Sequence, residues 1–242
     1  GRAERVFGTG DPRVLEWQRR EAIALTALER YDEALPLFES VCAATVRALG
    51  EDHPSPQECR LRQGVVLFEL QRFDEAAALI EAVAAYRERT LGRTNETLWT
   101  TWIWLARSHQ RRGRLDEARA LFERARDTAL EVFGADSSKA LPFQQTYGMF
   151  LEQTGQGAEA ERLRRELLAK SKRILSPGHV NVAKYAWDLA ETLASRRRDA
   201  EYVEFSAEWL PRWIELFGPQ DGRVVDARLW LEQAEARLAG KA

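Results

Sequence analysis

Cysteine and methionine are scarce in this sequence, which has two cysteines and one methionine among 242 residues. Two cysteines are too few for the disulfide framework of a small secreted domain. We therefore expect Cys42 and Cys59 to be buried thiols in a reducing compartment. Together with an arginine-rich, lysine-poor composition, this favours the cytoplasm.

Long apolar runs and an excess of one charge are also absent. No run approaches the roughly 18 apolar residues of a membrane-spanning helix, and no signal peptide opens the sequence. Lysine and arginine total 36 against 38 acidic residues, a formal net charge of -2. General nucleic-acid binding needs a strongly basic face. We expect neither a membrane nor nucleic acid as a partner.

Catalytic and metal-binding motifs are absent as well. The sequence has no glycine-rich phosphate loop, no HExxH and no CxxC. His53 and His179 fall at predicted helix starts, where a capping role explains them. His109 lies on an apolar helix stripe, where we expect a satisfied core histidine. We predict no catalytic residue, no metal site and no cofactor.

What the sequence does contain is one stretch copied at a fixed period. Residues 30–50, 72–92 and 114–134 read RYDEALPLFESVCAATVRALG, RFDEAAALIEAVAAYRERTLG and RLDEARALFERARDTALEVFG. More divergent copies begin at residues 156 and 198, so the period is 42 residues throughout. Self-similarity at such a period is the signature of a repeat architecture.

Each repeat predicts two helices. Capping residues precede the first helix of a repeat, and a glycine follows the second helix. We expect first helices at 12–28, 54–70, 96–112, 138–154, 180–196 and 222–239, after caps at Asp11, His53, Asn95, Ser137 and Asp221. Second helices are expected at 32–49, 74–91, 116–133, 158–175 and 200–217. The repeats are then 12–53, 54–95, 96–137, 138–179 and 180–221, with residues 1–8 as the end of an upstream repeat.

Small residues recur at one position of each helix. The first helix carries Ala22, Gly64, Ala106, Gly148 and Ala190, and the second carries Ala34, Ala76, Ala118 and Ala160. A small side chain at a fixed position lets two helices approach closely, and a larger one overpacks the contact at about 1–3 kcal/mol.

This pattern resembles the tetratricopeptide repeat, in the long 42-residue form of kinesin light chains. The resemblance covers nearly the whole chain and implies an all-α, right-handed superhelical solenoid of antiparallel helix pairs. It also implies a concave groove, lined by the first helices, that binds peptides or protein segments without catalysis. The asparagine that usually holds a bound peptide backbone is replaced by Arg20, Arg62, Trp104, Thr146, Asp188 and Trp230, so side chains are expected to grip the ligand.

The register of the family predicts which residues face the groove. They are Arg62, Val65, Glu69, Trp104, Arg107, Arg111, Gln145, Met149, Trp187, Asp188 and Glu191. We expect a pocket around Trp104 and Met149, rimmed by Arg62, Arg107 and Arg111, because an aromatic flanked by arginine is the composition of a binding hot spot. A solvated inner face is the alternative interpretation.

The predicted function is a non-enzymatic scaffold for a protein or peptide segment bearing an apolar anchor and a carboxylate. Two alternatives remain open. The chain could be the sensor region of a larger bacterial signalling ATPase or transcription regulator, or a structural module that self-associates through its end helices.

Overall fold

A computed structural model describes residues 11–176 and 178–240. Within them the chain forms eleven α-helices and no strand. The first helices of the repeats are α1 (Pro12–Ala27), α3 (Pro54–Glu69), α5 (Glu96–Arg111), α7 (Leu141–Gln153), α9 (Val180–Ser195) and α11 (Gly222–Ala239). The second helices are α2 (Tyr31–Leu49), α4 (Phe73–Leu91), α6 (Leu115–Phe133), α8 (Gly157–Ile174) and α10 (Asp199–Phe217).

The predicted helix ends are confirmed to within one residue except in α7. Side-chain caps define the starts of five first helices. Their side chains each accept a hydrogen bond from the backbone N–H two residues further on; these residues are Asp11, His53, Asn95, His179 and Asp221. Four second helices end at a glycine with φ between 75° and 87° (Gly50, Gly92, Gly134 and Gly218), a conformation that other residues rarely adopt. The expected end of an upstream repeat, residues 1–8, lies outside the described residues.

The start of α7 corrects a prediction. Ser137 was expected to cap a helix beginning at residue 138, but the helix begins at Leu141 and its N-cap is Ala140. The hydroxyl of Ser137 accepts a long hydrogen bond, 3.3 Å, from the N–H of Lys139. Pro142 has no N–H to bond the carbonyl of residue 138, so one more turn before α7 would lack a hydrogen bond.

The chain divides into two compact units, Gly1–Thr128 and Ala129–Ala242. In unit 1, α1 to α5 pack in sequence, each against the next. In unit 2, α7 to α11 do the same, and α9 also contacts α11. Each unit has its own apolar core.

The small residues lie where the helices are closest. The alanines expected at the contact position of the second helix are fully buried in α2, α4, α6 and α8. A Cβ placed on Gly64 of α3 would lie 2.6 Å from Cγ1 of Ile80 in α4. A Cβ on Gly148, the same position in α7, would meet nothing nearer than 3.5 Å. The fifth repeat has Tyr202 in place of the alanine; it is fully buried, and its hydroxyl donates to the carbonyl of Ala227.

The two cysteines form a disulfide, so the expectation of free thiols is wrong. Cys42 in α2 and Cys59 in α3 are both buried, as predicted, but their sulfurs are bonded. The helices bring the two Cα atoms to 5.5 Å, well within the range that a disulfide spans. The bond joins the second helix of one repeat to the first helix of the next.

The two glycines of the first-helix position make a matched pair for testing the packing. Gly64→Ala should lower the free energy of unfolding by about 1–2 kcal/mol, because Ile80 is fully buried and cannot yield freely. Gly148→Ala should leave stability unchanged or raise it by up to about 1 kcal/mol, because alanine is the better helix former. Urea denaturation followed by circular dichroism measures both, and equal effects of the two changes would contradict this packing.

The disulfide can be tested by reduction. Its closure across 17 residues of chain should stabilise unit 1 by about 3 kcal/mol, so a phosphine reductant should lower the thermal midpoint of the parent. The Cys42→Ala/Cys59→Ala double variant should not respond to the reductant. Two reactive thiols in the denatured, unreduced protein would show that the bond is absent.

Candidate functional site

A cavity of about 360 Å³ opens on the first helices of unit 1. Six of its nine lining residues are apolar, which makes it a candidate for an apolar side chain. The lining residues are Ile23, Thr26 and Ala27 of α1, Phe38 of α2, Glu58, Leu61, Arg62 and Val65 of α3, and Trp104 of α5. Three of the residues predicted to face the groove, Arg62, Val65 and Trp104, are therefore found around one cavity.

Trp104 is the member of the α5 tryptophan cluster that stays accessible. Trp102 is buried, as expected, and Trp99, which was expected at the margin, is buried as well with its indole N–H donating to the carbonyl of Arg93. Trp104 is half-buried. The ring of Phe68 meets it edge-on at 5.7 Å between centroids. This contact fixes the indole while part of it borders the cavity.

The charged wall of the cavity is held by ion pairs. Glu58 lies 2.9 Å from a terminal guanidinium nitrogen of Arg62 and accepts a hydrogen bond from Arg87 at 2.7 Å. Arg87 is buried, and its other terminal nitrogen donates to the carbonyl of Thr97 and to the hydroxyl of Thr101 in α5. This network ties α3, α4 and α5 together and holds the polar wall in place.

Two arginines further along α5 are arranged differently, and neither lines this cavity. The guanidinium carbon of Arg107 lies 4.9 Å from the Trp104 ring centroid, and that of Arg111 lies 4.7 Å from the Phe73 ring centroid. Across the described part of the chain, neither makes an ion pair, although Arg112 pairs with Asp74 at 2.6 Å. Burial lowers the pKa of Arg107, an effect that the exposed carboxylate of Glu69 opposes. The two side chains are thus cations resting on aromatic rings.

The predicted groove residues of unit 2 form a more polar set. The Gln145 amide donates to Asp188 at 2.8 Å, and Glu191 lies 3.5 Å from the buried guanidinium of Arg164. The indole N–H of Trp187 donates to the carbonyl of Arg223. Met149 is 38% exposed; it belongs to unit 2, whereas the cavity at Trp104 is formed by residues of unit 1.

Sequence reasoning missed several lining residues. Ile23 holds the same repeat position as Val65 and Arg107, so the 42-residue period could have identified it. Phe38 lies on a second helix, and no groove pattern points to it. His109 is buried as expected, and burial lowers its pKa. Its Nδ1 has no hydrogen-bond partner among the described residues, so the expectation of a satisfied histidine is wrong.

Two further properties of the described residues bear on function. No group of three histidine, cysteine or acidic side chains is placed to hold a metal ion. No helix in this part of the chain combines the length and the apolar composition that crossing a bilayer requires.

A family comparison agrees with the repeat pattern. The model of the tetratricopeptide repeat matches residues 22–55, 60–95, 105–138 and 148–181, more than half of the chain. The chain belongs to the tetratricopeptide repeat family. No curated protein sequence matches it.

Solved structures share this fold. A putative kinesin light chain from Podosopora anserina with nearly identical repeats superposes with a TM-score of 0.73, at 22% identity over 84% of this chain and 96% of that one. BtubC from P. vanneervenii gives 0.66, at 14% identity over 89% and 83%. The Rap conjugation gene regulator of plasmid pLS20, solved with the Phr* peptide, gives 0.59, at 13% identity over 90% and 63%. The predicted all-α tetratricopeptide solenoid and its kinesin-light-chain-like type are confirmed.

Proposed function

We propose that this protein is a non-enzymatic binding module whose unit 1 groove holds a segment of a protein or peptide. An apolar side chain of that segment occupies the cavity bordered by Trp104, and a carboxylate lies on Arg107 and Arg111. The observation that carries the proposal is an apolar cavity bordered by Trp104, whose ring also holds the guanidinium of Arg107, a group with no ion pair among the described residues.

The cavity favours an apolar group because six of its nine lining residues are apolar and its two charged residues, Glu58 and Arg62, pair with each other. Glu58 is also paired with Arg87, so a charged ligand group would lose hydration and compete with existing ion pairs. A half-exposed tryptophan, by contrast, gains apolar burial when a ligand covers it. Aromatic and arginine side chains together are the residues that most often dominate binding energy.

The two free guanidiniums favour an acidic group on the ligand. Most arginines in the described part of the chain form an ion pair, as Arg112 and Arg114 do at 2.6 Å. Arg107 and Arg111 are instead held on ring faces, which orients them without neutralising them. A guanidinium in that state can bind a carboxylate through two parallel hydrogen bonds.

A relative in fold supports a peptide as the ligand class. The Rap regulator was solved with a bound peptide, and it shares the helix-pair architecture of this chain. The backbone-clamping asparagine of the family is missing here at the groove position, so affinity in this protein comes from side-chain contacts. We further propose a cytoplasmic location on the arginine-rich, lysine-poor composition alone, because the Cys42–Cys59 disulfide removes the argument from free thiols.

The proposal predicts how two substitutions in the groove change the affinity of the protein for a peptide selected by display against it. Trp104→Ala should weaken binding by about 2 kcal/mol or more, because it removes the apolar wall of the cavity. Arg107→Ala should weaken binding and reduce its dependence on salt, because an ionic contact is screened by salt. Isothermal titration calorimetry at two salt concentrations measures both effects.

Glu123→Ala provides the control, because Glu123 lies on the second helix α6 and pairs with Arg119 there. It should bind like the parent. If Trp104→Ala and Arg107→Ala also bind like the parent, the ligand does not use this groove.

A further inference from the structure

A second cavity, of about 370 Å³, lies in unit 2 between α9 and α11. Its position in the repeat matches that of the first. Four periods of 42 residues relate five lining positions of the two cavities: 23, 26, 27, 62 and 65 in unit 1 correspond to 191, 194, 195, 230 and 233 in unit 2. The same pair of adjacent first helices, four repeats later, therefore builds a cavity of similar size.

The residues at these shared positions differ in chemistry. Ile23 is replaced by Glu191, Val65 by Gln233 and Arg62 by Trp230. Apolar groups at the first cavity thus become a carboxylate and an amide at the second. The two cavities are alike in construction and cannot favour the same ligand group.

Trp230 gives the second cavity an aromatic wall. It is half-buried. Its ring packs 5.9 Å from Trp187 and 6.4 Å from Tyr202, centroid to centroid. Trp187 is fixed in turn by the hydrogen bond to Arg223. The exposed part of Trp230 is therefore a rigid π surface beside a carboxylate.

Carboxylates outnumber the buried cation on the α9 side of the cavity. Arg164 is buried, and it donates to the carbonyl of Asp188 and to the hydroxyl of Thr192. The same guanidinium lies 3.5 Å from Glu191 and 3.7 Å from Glu152. Burial raises the pKa of both Asp188 and Glu191, so the attraction of Arg164 does not compensate for the water that they have lost.

Two arginines, Arg197 and Arg237, also line the cavity, but they do not offset this excess of carboxylates. Arg237 is held by buried Asp199, with nitrogen to oxygen distances of 2.7 to 3.1 Å. Arg197 is exposed, in the turn that follows α9. The half-buried carboxylate beside Trp230 is that of Glu191.

We propose that this cavity is a second subsite, which takes a cationic side chain of the partner, a guanidinium or an ammonium, between Trp230 and Glu191. A tryptophan face attracts a cation through its quadrupole, and the carboxylate supplies a charge-assisted hydrogen bond. The inference deepens the proposed function and rests on it, but it uses none of the residues at Trp104.

The test is a nuclear magnetic resonance titration of the full chain that follows the tryptophan indole N–H signals. The probe is acetyl-Ala-Arg-Ala-amide, and its neutral analogue with citrulline in place of arginine is the matched control. The Trp230 signal is assigned with Trp230→Phe. We expect a saturable shift of this signal with the arginine probe, at least about tenfold weaker binding of the citrulline probe, and no shift of Trp104.

Two variants test whether the probe binds through the charge of Glu191. Glu191→Gln keeps the size of the side chain and should weaken the arginine probe about tenfold, while Glu232→Gln, an exposed position on α11, should bind like the parent. Far-UV circular dichroism confirms that both variants are folded. Equal binding of the arginine and citrulline probes, no saturable shift at Trp230, or preferential binding of acetyl-Ala-Glu-Ala-amide would each overturn the subsite. Failure of the unit 1 groove would appear separately, at Trp104 with the display-selected peptide.

Discussion

The close contact between the two helices of each repeat is the constraint on which the structure depends. Four repeats keep a small side chain there: the alanines of α2, α4, α6 and α8 are fully buried, and Gly64 leaves no room for a Cβ beside Ile80, whereas the fifth repeat accommodates Tyr202. With this spacing repeated every 42 residues, each first helix places the same positions on the same face. Functional chemistry can then vary at those positions, from Arg62 to Trp104 to Asp188, while the scaffold is retained.

Much of the fold could be predicted because its signals are local. Cap residues, terminal glycines and small residues each act within one or two turns of helix, and ten of the eleven helices end within a residue of expectation. The start of α7 was predicted wrongly, because the 42-residue period placed it at residue 138. Pro142 has no N–H to make the hydrogen bond that would extend the helix there. The Cys42–Cys59 bond could not be predicted, because it depends on the distance between two helices and not on the spacing in sequence.

The candidate site, like the fold, could be predicted from the sequence only in part. Repeat register brought out Arg62, Val65 and Trp104, which border one cavity. Whether a charge there is free depends on contacts between helices. Glu58 neutralises Arg62, whereas the ring of Trp104 supports Arg107 without neutralising it. The buried cation Arg164 of unit 2 lies on a second helix, so the groove register gave no indication of it. The repeat period identifies which residues lie on the groove face, and contacts between helices determine which of their charges are paired.

The most direct test of this account is a crystal structure of the protein with a peptide selected by display against it. The account predicts that the peptide lies along α3 and α5, with an apolar side chain in the cavity bordered by Trp104 and a carboxylate within hydrogen-bonding distance of Arg107 or Arg111. A peptide bound to the second helices, with the cavity at Trp104 left open, would contradict it.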